Sequence, residues 1–208
     1  MNDIYTLDNL CYRINNKSII NKISCTIKHN KITNIQGVNG AGKTTLLKLI
    51  YGLYKPSSGN IIRHFDNNKI RLSFLLQNPI VLNRSIKDNL KHALYCQDIK
   101  KTEWNNIISK TAKEFNLEYL LQLNIKSLSG GEFQLLTLLR CILNSPNILF
   151  LDEPTNNLDI QNVKTIANII KSFQKKGGSI LLVSHDSNLL DMIDCDQIII
   201  KSGEIVND

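Results

Sequence analysis

The chain has 208 residues and carries 25 Lys and Arg against 18 Asp and Glu, a net charge of +7. With 42% apolar and 21% charged residues it can bury a core, which excludes wholesale disorder, and its length fits one domain, or one domain with a subdomain. No apolar run reaches the ~20 residues of a membrane span, and none of the five cysteines (Cys11, Cys25, Cys96, Cys141, Cys195) forms a C-x-x-C pair, which argues against a zinc knuckle or a thioredoxin motif.

Short β-branched runs alternate with helical patterns, so the sequence predicts an α/β domain around a mainly parallel sheet. Strands are expected at Ile4–Leu7, Cys11–Ile14, Ile23–Lys28 and Lys31–Gln36, the early ones as an N-terminal antiparallel β layer. A helix follows from Lys43 to about Tyr51, stopped by Gly52. After the Pro56–Gly59 turn come a strand over Gly59–Phe65, a turn over Asp66–Asn68, and a strand over Ile70–Gln77 that Pro79 ends. From Ser85 to about Leu123 the spacing of Leu90, Ala93, Leu94, Trp104, Ile107, Ile108 and Phe115 is helical, which predicts an α-helical insertion, or subdomain, over about 78–145. It closes with a helix over Gly131–Asn144, before Pro146. Ile148–Leu151 and Ile180–Val183 are continuous apolar runs, as expected of strands covered on both faces, with a helix over Ile160–Lys175 between them. Gln197–Lys201 and Gly203–Val206 read as a terminal hairpin. The odd cysteine count and the absence of a signal peptide lead to the expectation of a reducing cytosol. The basic balance suits nucleic acid, phosphate ligands or a membrane surface without choosing among them.

Gly37-Val38-Asn39-Gly40-Ala41-Gly42-Lys43-Thr44 fits G-x-x-x-x-G-K-S/T between a strand and a helix, the context in which that pattern cradles phosphates. The glycines let backbone N–H groups turn inward, and the next helix offers its N-terminal dipole to the same anion. Lys43 supplies a cation and Thr44 a hydroxyl for Mg²⁺. Ile148-Leu149-Phe150-Leu151 runs directly into Asp152 and Glu153. A carboxylate pair at the end of a buried strand calls for a cationic partner, so Asp152 is the candidate for Mg²⁺ and Glu153 for activating the attacking water. Ile180–Val183 delivers His185 to the same sheet edge, where an imidazole could bond a γ-phosphate or the water. Gln77, at the end of a third strand, could touch both metal and water. Ser129 and Glu132 form the S-x-x-E of a capping box, which by itself needs neither Gly130 nor Gly131. A second anion cradle makes sense where it serves another chain's nucleotide.

These segments, in this order, resemble the ATP-binding subunit of an ABC transporter over nearly the whole chain. GVNGAGKTT resembles the family's Walker A, Gln77 in LLQNP the Q-loop, and LSGGE the signature. ILFLDEP resembles Walker B, Asn157-Leu158-Asp159 the D-loop, and His185 in LLVSHD the H-loop. The resemblance implies a P-loop NTPase fold and a head-to-tail homodimer or heterodimer with ATP and Mg²⁺ between subunits. Gly37 through Thr45 of one chain would then face Ser129-Gly130-Gly131 of the other. It also implies an ATPase at the cytoplasmic face of the cell membrane, docked near Gln77 and the helical insertion on transmembrane permease subunits, with a substrate-binding protein in an import system and no nucleic acid. Three departures accompany it. The family's adenine-stacking aromatic falls nearest Ile14, which leaves Tyr12 as the candidate; the signature continues into Phe133-Gln134-Leu135-Leu136, where the family is more polar and basic; and a regulatory C-terminal domain is expected to be absent. Gln77 to Leu90 resembles importers of oxyanions such as tungstate, molybdate or phosphate, and the small cassette also resembles the haem-exporter subunit of cytochrome c maturation. The competing classes are a non-transport ABC ATPase acting on ribosomes or DNA and a non-hydrolysing regulatory partner; an intact Asp152, Glu153 and His185 argue against the second.

Overall fold

The computed structural model describes residues 3–66, 69–95, 99–143 and 145–206. The chain opens with β1 (Asp3–Ile14) and β2 (Lys17–Lys28), continues through β3 (Ile32–Gln36) and α1 (Lys43–Tyr51), and reaches β4 (Ser58–Arg63). β2, β1 and β4 form a three-stranded antiparallel sheet in that order. The sequence predicts two strands, Ile4–Leu7 and Cys11–Ile14, where β1 is one. Asn9 takes a φ of 45°, and the ladder slips between the Leu7↔Cys25 and Leu10↔Ile23 pairs. The irregularity is held by the Asn9 N–H, which donates to Ser24 Oγ at 2.9 Å, so the strand bends without ending.

The second sheet joins β3 to β5 (Leu72–Leu75), β6 (Ile148–Asp152), β7 (Ser179–Val183), β8 (Asp196–Lys201) and β9 (Glu204–Ile205) in the order β5-β6-β7-β3-β8-β9. All pairs are parallel except the terminal β8–β9 hairpin. β5 is shorter than the expected Ile70–Gln77, since its ladder spans only Leu72↔Ile148 to Leu75↔Leu151. Gln77 therefore lies in the loop beyond the strand. Every residue of β6 and β7 is buried, which is why both read as uninterrupted apolar runs. Their side chains alternate: Leu149, Leu151, Ile180 and Leu182 pack into one core, and Ile148, Phe150, Leu181 and Val183 into another. On the second face Phe150 meets Tyr51 edge-on at 5.2 Å and stacks with Phe74 at 5.9 Å, tying α1 to the sheet.

Between β5 and β6 lie α2 (Ile86–Tyr95), α3 (Trp104–Glu114) and α4 (Gly130–Leu143), with short tight turns at Lys101–Glu103, Glu118–Gln122 and Ile125–Ser127. α2 starts where Ser85 Oγ accepts from Asp88 N–H at 3.1 Å. α5 (Ile160–Lys175) matches its expected span: Asp159 caps it by accepting from Asn162 N–H at 2.9 Å, and Val163, Ile166, Ala167, Ile170 and Phe173 form its buried stripe. α6 (Ser187–Leu190), a single turn capped by Asp186, was not expected from the sequence. Residues 67, 68, 96–98 and 144, which fall in the expected turn and helical insertion, lie outside the described residues.

Candidate active site

β6, β7 and β3 are parallel neighbours, so the residues that follow their last rungs leave the sheet at one edge. From β3 comes the loop Gly37–Gly42. A side chain at Gly37 would put its Cβ 2.2 Å from the Ile200 carbonyl oxygen, and at Gly42, where φ is 106°, 2.9 Å from that of Ile19. The loop therefore packs where only glycine fits. Val38, Asn39 and Gly40 are exposed, Ala41 is buried, and Ala41 N–H donates back to the Val38 carbonyl at 3.1 Å. α1 begins directly behind Gly42 with no side-chain cap and no acid in its first turn. Its N-terminal N–H groups thus have no anionic partner from the chain itself, the condition under which a helix tip takes an external anion.

Lys43 is 9% exposed and turns its ammonium onto the loop, donating to the Gly37 carbonyl at 2.9 Å and the Val38 carbonyl at 3.2 Å. Thr44 Oγ1 donates to Asp152 Oδ1 at 2.9 Å, and Thr45 follows, half-buried, in α1. Asp152 is 1% exposed. Burial pushes its carboxyl above the ordinary value, against the pull of the Thr44 hydrogen bond and the charges of Lys48 and Lys43, while Glu153 pushes the same way as burial. A buried carboxylate paired with a hydroxyl is an all-oxygen donor set, and hard cations such as Mg²⁺ prefer oxygen. Glu153, next along, holds a φ of 51°, a left-handed conformation unfavourable for a glutamate. Its N–H donates to the Val183 carbonyl at 2.8 Å, and its Oε1 lies 2.8 Å from Nδ1 of His185. The ends of β6 and β7 are thereby joined twice, once through the main chain and once through the side chains.

At this edge Thr44 is bonded to Asp152, Glu153 to His185, and Lys43 to the glycine loop. Gln77 is exposed in the loop after β5, and the hydrogen bonds that tie these groups do not include it. Ser129, Gly130 and Gly131 sit at the start of α4, away from these bonds. The capping box is formed: Glu132 N–H donates to Ser129 Oγ at 3.2 Å and Ser129 N–H to Glu132 Oε2 at 2.8 Å. Gly131 packs so close to the Asn162 side chain that a Cβ would lie 2.3 Å from its Nδ2, whereas Gly130 has open space around it. Tyr12 stacks in parallel on Tyr54 at 5.5 Å, and the Lys48 ammonium lies 5.7 Å over the Tyr54 ring. Reading the sequence passed over Asn34, a wholly buried amide inside β3. The available signal was a carboxamide within an otherwise apolar core strand.

A parallel sheet that hands its chain through a glycine loop into an uncapped helix is the architecture of the P-loop nucleotide-binding proteins, and this chain is one of them. The family model described as ABC transporter matches residues 20–156, and the chain belongs to that family, whose ATP-binding subunits hydrolyse ATP within transporter complexes. The zinc import ATP-binding protein ZnuC of Wigglesworthia glossinidia brevipalpis is 35% identical over 207 residues, covering 99% of this chain and 86% of that relative. Among solved structures, cbiO1 from Clostridium perfringens, part of the ABC transporter complex cbiONQ, superposes with a TM-score of 0.85 at 24% identity, covering 100% of this chain and 88% of that one. The ATP-binding cassette MJ0796, a dimer in a post-hydrolysis state bound to ADP and phosphate, superposes with a TM-score of 0.83 at 22% identity, covering 98% and 97%. These two likenesses show the fold. The expectation of an oxyanion importer finds no support in the zinc-import relative.

Proposed function

We propose that this chain energises zinc import, hydrolysing ATP as one half of a head-to-tail dimer docked on separate permease subunits. The observation that carries the reading is the 35% identity to a zinc import ATP-binding protein along 99% of the chain. No cluster of His, Cys, Asp or Glu that could hold a metal ion occurs among the described residues, so the cargo would be selected by the permease, not here. No helix among the described residues is long and apolar enough to cross a membrane, and attachment to its cytoplasmic face would run through that permease. An open cleft of about 390 Å³, lined in part by Leu76, Pro79, Ile80, His92, Thr137 and Arg140, suits this docking. Ile80 is 82% exposed on its rim, and Arg140 Nη1 braces that loop by donating to the Ile80 carbonyl at 2.7 Å.

In the mechanism supported here, the N–H groups of Gly37–Gly42 and of the first turn of α1 bind the phosphate chain, and Lys43 exchanges its two carbonyl partners for phosphate oxygens. Thr44 and Asp152 would hold Mg²⁺, with Gln77 reaching in from its loop; the ion screens phosphate charge. Glu153 orients the attacking water and takes its proton as the water oxygen bonds the γ-phosphorus and the bond to ADP breaks. His185, held by Glu153, sits ready to bond the γ-phosphate. The partner's Ser129-Gly130-Gly131 tip closes the site from the other side. The Tyr12–Tyr54 stack provides an aromatic surface for adenine beside α1. The test is reconstitution with its permease in lipid vesicles. ATP-driven movement of radiolabelled zinc, with molybdate left behind, supports the reading; ATP-driven movement of molybdate with zinc left behind contradicts it.

A further inference from the structure

Asn34 is 0% exposed at the centre of β3, where a carboxamide must find partners for its donors and its acceptor or cost the fold dearly. It finds them at the exit of β7. The parallel β3–β7 ladder runs from Ile32↔Ile180 to Ile35↔Val183 and stops there. The next residue, Ser184, is 1% exposed, so its main-chain groups remain in the interior after the ladder has ended. Asn34 supplies what the ladder no longer does: its Oδ1 accepts from Ser184 N–H at 3.1 Å, and its Nδ2 donates to the Ser184 carbonyl at 3.3 Å. The second Nδ2 hydrogen goes to Gln197 Oε1 at 3.3 Å, bracing the amide from β8 on the other flank. Beyond this clip, Ser184 Oγ accepts from Asp186 N–H at 3.2 Å. His185 therefore stands between two residues whose main chain is pinned.

We propose that Asn34 is a positioning residue for ATP hydrolysis: its carboxamide replaces the missing rung of the β3–β7 ladder and fixes the angle at which the chain delivers the His185 ring to Glu153. The inference rests on the reading of His185 as a participant in turnover. His185 is an exposed side chain with one bond to Glu153, so its direction depends on the main chain beneath it. A displacement of about 1 Å at a reacting group is enough to cost on the order of 100-fold in rate. Removing the amide leaves two buried main-chain groups of Ser184 without partners, and the turn must move to recover them.

The test uses the purified full-length chain. Steady-state ATPase kinetics compare wild type, Asn34→Ala, Asn34→Thr, His185→Ala and the Asn34→Ala/His185→Ala double variant, alongside a long-range ¹H–¹⁵N spectrum of the histidine rings. Asn34→Ala should lower kcat by about tenfold or more with little change in KM. It should add nothing in the His185→Ala background, because both changes act through one group. The His185 signal should lose the pattern of an Nδ1–H held by a carboxylate, while His29, His64 and His92 keep theirs. Asn34→Thr, whose hydroxyl restores one bond to Ser184, should recover part of the rate, and it carries the same readouts if the alanine variant does not fold. An equal loss of rate in both backgrounds, or an unmoved His185 signal, overturns the proposal. Full turnover by His185→Ala would break the reading of the imidazole itself, and the ring spectrum would then still decide whether Asn34 orients it.

Discussion

The helices α1 and α4 both begin at glycines, and they are finished differently. α1 starts behind Gly42 with no side-chain cap, with Lys43 in its first turn and Asp152 bonded to Thr44 just beyond. α4 starts with the reciprocal Ser129–Glu132 box, so the N–H groups of Ser129 and Glu132 are already bonded by its own side chains, and Gly130 faces open space. The first end is built to need an anion; the second is stable without one and can approach one closely. That contrast fits a site whose larger part belongs to one subunit and whose lid belongs to another. A second link strengthens the division: Gly131 is pressed against Asn162, whose side chain donates to Asp159 at 2.7 Å, so the tip of α4 is seated on the cap of α5.

The contrast breaks most visibly at Ser129. Ser129→Arg places a bulky cation on the α4 tip and should lower turnover by on the order of 100-fold while leaving ATP affinity of the isolated subunit unchanged, as titration calorimetry would read; a parallel loss of affinity would move Ser129 into the subunit's own site. Lys43→Ala should do the reverse, weakening ATP binding by roughly 10- to 100-fold, the range expected for a lost charge-assisted bond, and unchanged affinity would remove Lys43 from the phosphate site.

Asp152 sharpens the comparison through stability. Its folded-state carboxyl lies above the ordinary value because of burial, so the folded protein holds this proton more tightly than the unfolded chain does. The cost of ionising it is absent below the unfolded pKa and grows as pH rises through the folded one. Asp152→Asn should therefore raise the Tm of the nucleotide-free chain at neutral pH, by about 2–4 °C for each kcal/mol recovered, with the gain shrinking toward acid pH. The same variant should lose the added stabilisation that Mg²⁺ gives together with ATP. A lower Tm at neutral pH would show that the Thr44 bond outweighs burial. The smallest effect belongs to Tyr12→Ala, which should weaken ATP binding about three- to tenfold if adenine uses the Tyr12–Tyr54 stack and leave it unchanged if the stack only packs.

Much of this was legible in the sequence because it is local. The phosphate loop is nine contiguous residues, Gly37–Thr45, whose glycines and lysine act where they stand. α5 spans the expected Ile160–Lys175, where Gly177-Gly178 closes the helical pattern. Other features depend on partners far along the chain and leave weak local marks. β1 continues through Asp8-Asn9 because β2 offers Ser24 to hold the bulge. β5 stops at Leu75 because its ladder with β6 ends at the Leu75↔Leu151 pair, which puts Gln77 on a loop and not at a strand end. The clip between Asn34 and Ser184 joins residues 150 positions apart, and only the fold brings them together.

The shared site is tested most directly by Glu153→Gln, which keeps the shape of the side chain and removes its capacity to take a proton. With ATP and Mg²⁺ present, analytical ultracentrifugation should show this variant as a dimer that falls apart when ATP is replaced by ADP, with turnover nearly abolished. A Glu153→Gln chain that binds ATP to saturation and still sediments as a monomer would contradict the account.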